Sequence, residues 1–246
     1  MKISLITVVY NGEAFLQECF NSIRVQTFPN VEYLVIDGGS KDKTLGIVAK
    51  NQAHINYFVS EKDKGLYDAI NKGIAKSTGD IIGILNADDM FSGPEVLAKV
   101  AETFKNNPEI DGLYGDLNYI HPTTGKILRK WKSRSATFED LRQGWMPAHP
   151  TIYLKRSLFD KHGNYALDLG TTADYELMLR FFYTHKIKTA YLPMLMVNMR
   201  IGGVSNKSLA SRWGALVNDY RSLKRNKLPN PLWVLVRKKL SKLKQF

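Results

Sequence analysis

Cys19 is the only cysteine in 246 residues. One thiol cannot form an intramolecular disulfide or a cysteine-rich zinc site, so a packed core has to hold the fold. Long apolar runs are missing as well, and no stretch approaches the roughly 20 apolar residues that span a bilayer. The opening MKISLITVVYNGEAF turns polar too soon for a signal peptide and carries no small-residue cleavage site. A cytoplasmic protein is the expectation. Two nucleotide cradles are absent: no G-x-G-x-x-G follows the first apolar run, and no G-x-x-x-x-G-K-[ST] occurs anywhere. A bound nucleotide would have to be held in another way. Acidic residues are absent from the last stretch, where Arg221, Lys224, Arg225, Lys227, Arg237, Lys238, Lys239, Lys242 and Lys244 stand without a single Asp or Glu.

The formal charge of +12 suits an anionic partner: nucleic acid, a phosphorylated small molecule or a lipid surface. The 44% hydrophobic and 24% charged content is that of an ordinary folded chain, and the length fits one α/β domain with a short appendage. Strand-like and helix-like segments alternate through the first half. Residues 4–10, 31–37, 55–60 and 80–86 read as strands. Residues 12–26, a short segment ending near Lys50, residues 65–77 and residues 94–106 read as helices, with Phe15, Cys19 and Ile23 on one face and Leu66, Ile70 and Ile74 on another. Such alternation predicts a mostly parallel, doubly wound sheet. Past residue 112 two extended stretches flank Pro122-Thr123-Thr124-Gly125 as a hairpin. Helices near 138–143, 156–161 and 174–184 and a strand near 188–192 follow. One compact domain is expected over 1–205, its halves meeting near residue 110, with a basic helical extension over 206–246.

Ligands of open α/β sheets bind outside the carboxyl ends of the strands. Those ends carry Tyr10-Asn11-Gly12, Asp37-Gly38-Gly39-Ser40, Glu61-Lys62-Asp63-Lys64-Gly65 and Asn86-Ala87-Asp88-Asp89. A carboxylate-lined cleft on a basic protein points to an anionic ligand bridged by a metal. Adjacent carboxylates repel unless a cation or hydrogen bonds compensate, and oxygen ligands select Mg²⁺ or Mn²⁺. Taken alone, Asp88-Asp89 reads equally as the cap of a following turn.

The succession TVVYNGEAFLQECFNSIRVQTFPNVEYLVIDGGSKDKT, then EKDKGLYDAINKGIAKSTGDIIGILNADD, resembles the nucleotide-binding half of the family 2 glycosyltransferases. A weaker likeness runs through MPAHPTIYLKRSLFDKHGNY and TTADYELMLR to near residue 205. Within the family the likeness is to bacterial enzymes that build capsule, exopolysaccharide or O-antigen. The resemblance implies a GT-A fold and an inverting transfer from a nucleotide sugar, UDP favoured, to a glycan or polyprenyl-diphosphate-linked acceptor. It places Asp37 on the nucleobase, with Thr7, Val9, Tyr10 and Asn11 around base and ribose. The family's D-x-D falls on Asn86-Ala87-Asp88, which makes Asp88 the metal ligand with Asp89 beside it. Asn86 departs from the usual Asp, so its ribose contact is open. Asp68 is assigned to the donor vicinity, where Asp63 and Asp68 could equally serve the positive end of the helix they flank. Asp174 matches the family's general base, and Ala173 replaces the usual acidic neighbour. His149, between Pro147 and Pro150, is expected near acceptor or diphosphate. Arg200 with Gly202-Gly203-Val204-Ser205 resembles a loop closing over donor phosphates. Residues 231–243 mix apolar with basic positions and fit an anionic leaflet at the inner face of the cell membrane, or a helix packed on protein. Two rivals are weighed: a sugar-phosphate nucleotidyltransferase, which would need a Gly-rich basic loop where Tyr10-Asn11-Gly12-Glu13 stands, and a basic nucleic-acid or membrane module. The acidic strand ends oppose nucleic acid, which is not expected as a partner.

Overall fold

The apolar run ISLITVV forms β1 (Ile3–Val9), all seven of its residues buried. A strand covered on both faces belongs at the centre of a sheet. There β1 pairs in parallel with β2 (Val31–Asp37) and β4 (Ile81–Ile84), and β2 pairs in parallel with β3 (Tyr57–Ser60). Because successive strand residues point to opposite faces, the apolar runs supply two cores. Ile6, Val8, Leu34, Ile36, Ile82 and Ile84 pack with Ile70 and Ile74 of α3 (Leu66–Lys76). Leu5, Val9, Tyr33 and Val35 pack on the other face with α1 (Leu16–Arg24), α2 (Thr44–Lys50) and α4 (Val96–Asn106). This is the doubly wound half read from the sequence. Cys19 is buried in the core and Ile23 packs against it, whereas Phe15 is half-buried under the Arg200 guanidinium. Leu66 is 49% exposed, and Tyr67 beside it is buried instead.

The computed structural model describes residues 1–202 and 209–243. Its second half turns the sheet mixed. The short β5 (Met90–Phe91) lies at one edge, and the hairpin β6 (Gly112–Ile120) and β7 (Ile127–Trp131) forms where the Pro-Thr-Thr-Gly turn predicts it. Next come α5 (Phe138–Arg142), β8 (Tyr153–Lys155), α6 (Arg156–His162), α7 (Ala173–Met178) and β9 (Thr189–Arg200). Strand order is β3-β2-β1-β4-β8-β6-β9-β5, with β7 on β6 and β8 antiparallel to both its neighbours. Gly83 makes the β4–β8 contact possible, since a Cβ there would lie 2.3 Å from the Tyr153 ring.

Strand β9 runs twelve residues, far past the expected end near Leu192. Pro193 reads as a terminator in sequence, but its lack of an N–H is tolerated at a bulge. The β6–β9 pairing does shift there, from Tyr114↔Tyr191 to Asp116↔Leu195. The basic C-terminal segment folds as α8 (Leu209–Arg225) and α9 (Pro231–Leu243), and Leu223, Leu228, Val234 and Leu235 join the α3-side core. One face of α9 is therefore packed on the protein itself. Lys238 pairs with Asp219 at 2.8 Å and lies over the Tyr175 ring. Among the described residues no helix is long and apolar enough to cross a membrane.

Candidate functional site

Parallel pairing carries the ends of β1, β2, β3 and β4 to one edge, where their turns are laced together. Asn11, at φ 50°, donates its N–H to Ser40 Oγ at 2.8 Å and accepts from the Lys41 N–H at 2.9 Å. Asn tolerates this left-handed conformation better than most residues. The Gly12 N–H donates to Thr44 at 2.8 Å, and Glu13 and Asp42 complete the lacing. Tyr10 stands 63% exposed above it. Gly38 lets the neighbouring turn approach, because a Cβ there would meet the Asp63 carboxylate at 2.4 Å.

Three residues assigned to the base and ribose sit deeper than the resemblance implies. Asp37 is fully buried and accepts from the Gly39 and Ser40 N–H groups at 3.0 and 2.9 Å, from Ser60 Oγ at 2.6 Å and from the Ser40 hydroxyl. Its four donors make it the clamp of the β2 turn. Thr7 is buried against Cys19 and accepts from the Tyr33 hydroxyl at 2.9 Å, and Val9 belongs to the core. Both underlie the rim that Tyr10 and Asn11 form. Asp68 accepts from the Lys64 N–H at 3.0 Å and lies 3.8 Å from Lys72, so its visible bonds are local to the start of α3.

The turn after β4 concentrates charge. Burial raises the Asp88 carboxyl above the usual aspartate range, and Arg200 only partly offsets this. Burial raises Asp89 further, and the charge of Asp88 adds to it. The two carboxyls thus stand without enough compensation, which is the condition a cation relieves. Asp88 is half-buried, and the buried Asn86 Oδ1 on the same turn has no hydrogen-bond partner. These are hard oxygen donors, and they fit Mg²⁺ or Mn²⁺. Among the described residues no three His, Cys, Asp or Glu side chains converge, so ligand oxygens and water would have to complete the coordination.

Asp89 departs from the expected metal-ligand part. It is fully buried, its Oδ1 accepting from the Arg200 N–H at 3.2 Å and its Oδ2 from Asn86 Nδ2 at 3.3 Å. Both oxygens are turned into the protein, whereas Asp88 is only half-buried. Arg200 departs as well. It is the last residue of β9, paired with Ile120, and is 4% exposed. Its guanidinium donates to the Asp88 carbonyl at 2.7 Å, pairs with Glu18 and lies 4.4 Å from the Phe15 ring centroid. It braces the acidic turn from behind, where an open phosphate-closing loop was expected. Residues 203–205 of that expected loop lie outside the described residues.

Asp174 opens α7 on the other wall, half-buried, accepting from the Tyr175 N–H at 2.7 Å. Ala173 beside it is fully buried, so an acid at that position would be costly. Glu176 turns away to Arg180 at 3.2 Å. His149 accepts from or donates to the Tyr165 hydroxyl at 2.8 Å, and burial lowers its pKa while Asp174 opposes that. Burial raises the pKa of Tyr119, on β6, with Arg129 opposing it and the charges of Asp89 and Asp174 adding to it. The sequence reading missed Tyr67, Asn71, Tyr119 and Tyr165. Tyr67 and Asn71 lie inside the GLYDAINKG stretch that carries the resemblance, four residues apart on one helix face, and that spacing was the available signal.

A family model described as "Glycosyl transferase family 2" matches residues 4–163. The PGL/p-HBAD biosynthesis glycosyltransferase of Mycobacterium bovis is 31% identical over 210 residues, covering 82% of this chain and 78% of that one. Among solved structures, residues 1–349 of S. aureus TarS in complex with UDP-GlcNAc superpose with a TM-score of 0.71 at 17% identity, covering 97% of this chain and 71% of that one. Against the longer TarS structure the chain spans 39% of that chain's length. The mannosyltransferase PcManGT of Pyrobaculum calidifontis, in complex with GDP-Man and Mn²⁺, superposes with a TM-score of 0.68 at 17% identity, covering 96% and 68%.

Proposed function

The chain belongs to glycosyl transferase family 2, and we propose that it moves a sugar from a UDP-sugar to a hydroxyl of a glycan or polyprenyl-diphosphate-linked acceptor, with inversion at the anomeric carbon. The observation that carries this reading is the acidic turn after β4, where the half-buried Asp88 stands beside the unpartnered Asn86 Oδ1 and the buried Asp89. Tyr10, Asn11 and the turn clamped by Asp37 form the rim for base and ribose, with Asp68 at its edge. Asp88 and Asn86 would hold Mg²⁺ or Mn²⁺, and that ion would neutralise charge on the leaving diphosphate. Asp174 takes the proton of the acceptor hydroxyl, within reach of His149 on the same wall. The mycobacterial relative is a biosynthesis glycosyltransferase, and TarS and PcManGT bind UDP-GlcNAc and GDP-Man in their complexes, which supports this reading.

The acceptor reading also gives α9 a part. Leu232, Trp233 and Val236 are exposed, and Arg237 lies 5.7 Å from the Trp233 ring centroid. An apolar stripe beside basic side chains fits an anionic leaflet, which is where a polyprenyl-linked acceptor is presented. Co-sedimentation with phosphatidylglycerol vesicles but not phosphatidylcholine vesicles, weakened by Trp233→Ser, is the expected outcome. Equal recovery with both vesicle types would remove the membrane from this reading.

A thermal-shift panel of UDP-, GDP- and dTDP-sugars with and without Mn²⁺ tests the donor side. UDP-sugars should stabilise the chain only with the metal, and Asp88→Asn should abolish that gain. Stabilisation indifferent to metal, or kept in Asp88→Asn, would overturn the assignment of Asp88.

A further inference from the structure

A cavity of ≈ 550 Å³ lies between the β6–β7 hairpin turn and the strands β9 and β5. None of the residues assigned above to base, ribose, metal or proton transfer lines it. Its floor follows from strand register. Asn118 of β6 stands opposite Asn198 of β9, and Ile120 stands opposite Arg200. Residues two apart on a strand share a face, so these four side chains meet the same space. The rim is the Pro122-Thr123-Thr124-Gly125 turn, held by His121, whose Nδ1 accepts from the Thr123 and Thr124 N–H groups at 3.3 Å each.

The polar groups of this floor are fixed but only half used. Asn118, 6% exposed, donates from its Nδ2 to Asn198 Oδ1 at 3.2 Å. Among the described residues the Asn118 Oδ1 and the Asn198 Nδ2 have no further partner. An acceptor and a donor side by side match neighbouring hydroxyls, each of which can both give and take a hydrogen bond. Arg200 also keeps an Nε without a partner, although its other side-chain nitrogens bond the Asp88 carbonyl and Glu18.

Charge narrows the class of ligand. Glu18 and Arg200 are the ionisable side chains of the cavity wall, and they pair with each other. On a chain of net charge +12 this cavity is therefore balanced, with no spare cation for a phosphate or carboxylate. The rest of the wall includes the aliphatic Ile120, Ile127 and Leu195. A few placed polar groups in an otherwise apolar hollow of this size are the usual makings of a small-molecule site. A neutral sugar fits both parts: its hydroxyls meet the amide pair, and its C–H face lies on the aliphatic side chains.

We propose that this cavity is a saccharide-binding site separate from the catalytic cleft, in which the Asn118–Asn198 pair holds neighbouring hydroxyls of a neutral sugar residue. Its use as a second hold on the acceptor glycan rests on the transfer reading above. Sugar binding itself does not depend on Asp88 or Asp174.

The test titrates the full chain, labelled at its isoleucine and methionine methyl groups, with the methyl glycosides of glucose, galactose, mannose and N-acetylglucosamine, followed by NMR. At least one should move the Ile120, Ile127 and Met90 signals with a Kd of about 1–50 mM, as a single-sugar contact would, and leave Ile6 and Ile36 in place. Asn198→Leu removes the amide pair and should weaken binding about tenfold. Because that variant strands the Asn118 amide, Ile127→Arg is the second: it fills the cavity mouth from a position 46% exposed and should weaken binding alike. Silence from all four glycosides, or unchanged binding in Ile127→Arg, overturns the proposal. Saturating UDP with Mn²⁺ should leave the glycoside shifts intact, whereas their loss would make the cavity part of the donor site and defeat it. Asp174→Asn should bind the glycoside as the parent does whether or not it transfers sugar, which keeps a failure of the transfer reading apart from a failure of this site.

Discussion

The two acidic centres of the cleft are built in opposite ways. Asp88-Asp89 is assembled from one short turn, with Asn86 three residues from Asp89, and its carboxyls are pushed toward their neutral forms by burial. Asp174 is assembled from distant segments: Tyr67 reaches the Thr171 carbonyl across 104 residues, and Asn71 reaches Tyr165 across 94. Asp174 itself accepts from the Tyr175 N–H at 2.7 Å. The turn after β4 is thus a charge defect that a cation would relieve, whereas Asp174 stands singly at the start of α7. In the proposed reaction the first would serve the leaving diphosphate and the second the acceptor hydroxyl.

The sharpest way to break the comparison is Asp174→Asn. The amide keeps the shape but cannot take a proton. Transfer should fall by about three orders of magnitude, within the usual range for a general base. Metal-dependent UDP binding, read by calorimetry, should stay within about twofold of the parent, since the variant leaves Asp88 untouched. A variant that loses UDP affinity as much as turnover would merge the two centres into one.

This asymmetry also decides what could be read from the chain itself. The donor half was legible because each strand end and its turn are contiguous: Asp37-Gly38-Gly39-Ser40 and Asn86-Ala87-Asp88-Asp89 keep their spacing in any fold that buries the runs before them. Asp174 was legible as a residue but not in its surroundings, because Tyr67 at the Thr171 carbonyl and Asn71 at Tyr165 join segments far apart in sequence. Asp89 and Arg200 are buried behind the turn, which residue type alone does not reveal, since it says nothing about which way a carboxylate or guanidinium faces. The length of β9 was hidden by Pro193, whose bulge requires a partner strand to be recognised. The basic C-terminal pattern left solvent, lipid and core open as partners of each helix face, and Val234 and Leu235 take the core.

Arg200 offers a smaller effect that sharpens the same comparison. Arg200→Met keeps much of the packing over Phe15 but removes the bond to the Asp88 carbonyl and the pair with Glu18, which is itself 58% exposed. The exposed partner limits the ionic contribution, so the loss should be about 2 kcal/mol, mostly from the unsatisfied carbonyl and the lost neutralisation of two carboxyls. Urea unfolding measures it.

The smallest effect is a pH dependence confined to the donor wall. Burial holds the Asp88 and Asp89 carboxyls above the ordinary aspartate value of 3.8, most strongly at Asp89. In that window the folded chain binds more protons than the unfolded one, so the contribution of these groups is favourable below the ordinary value and is lost as pH rises through the raised ones. Asp89→Asn removes the second charge at little structural cost. The new amide oxygen can still accept from the Arg200 N–H, and a flip of the Asn86 amide lets its unpartnered Oδ1 accept from the new NH₂. Measured in chelator, the melting temperature of Asp89→Asn relative to the parent should therefore climb with pH across that window. Saturating Mn²⁺ should flatten the climb, because a cation at Asp88 replaces the missing protons as counter-charge. An offset that is the same at every pH would mean that the two carboxyls do not oppose one another, and the contrast with Asp174 would lose its electrostatic half.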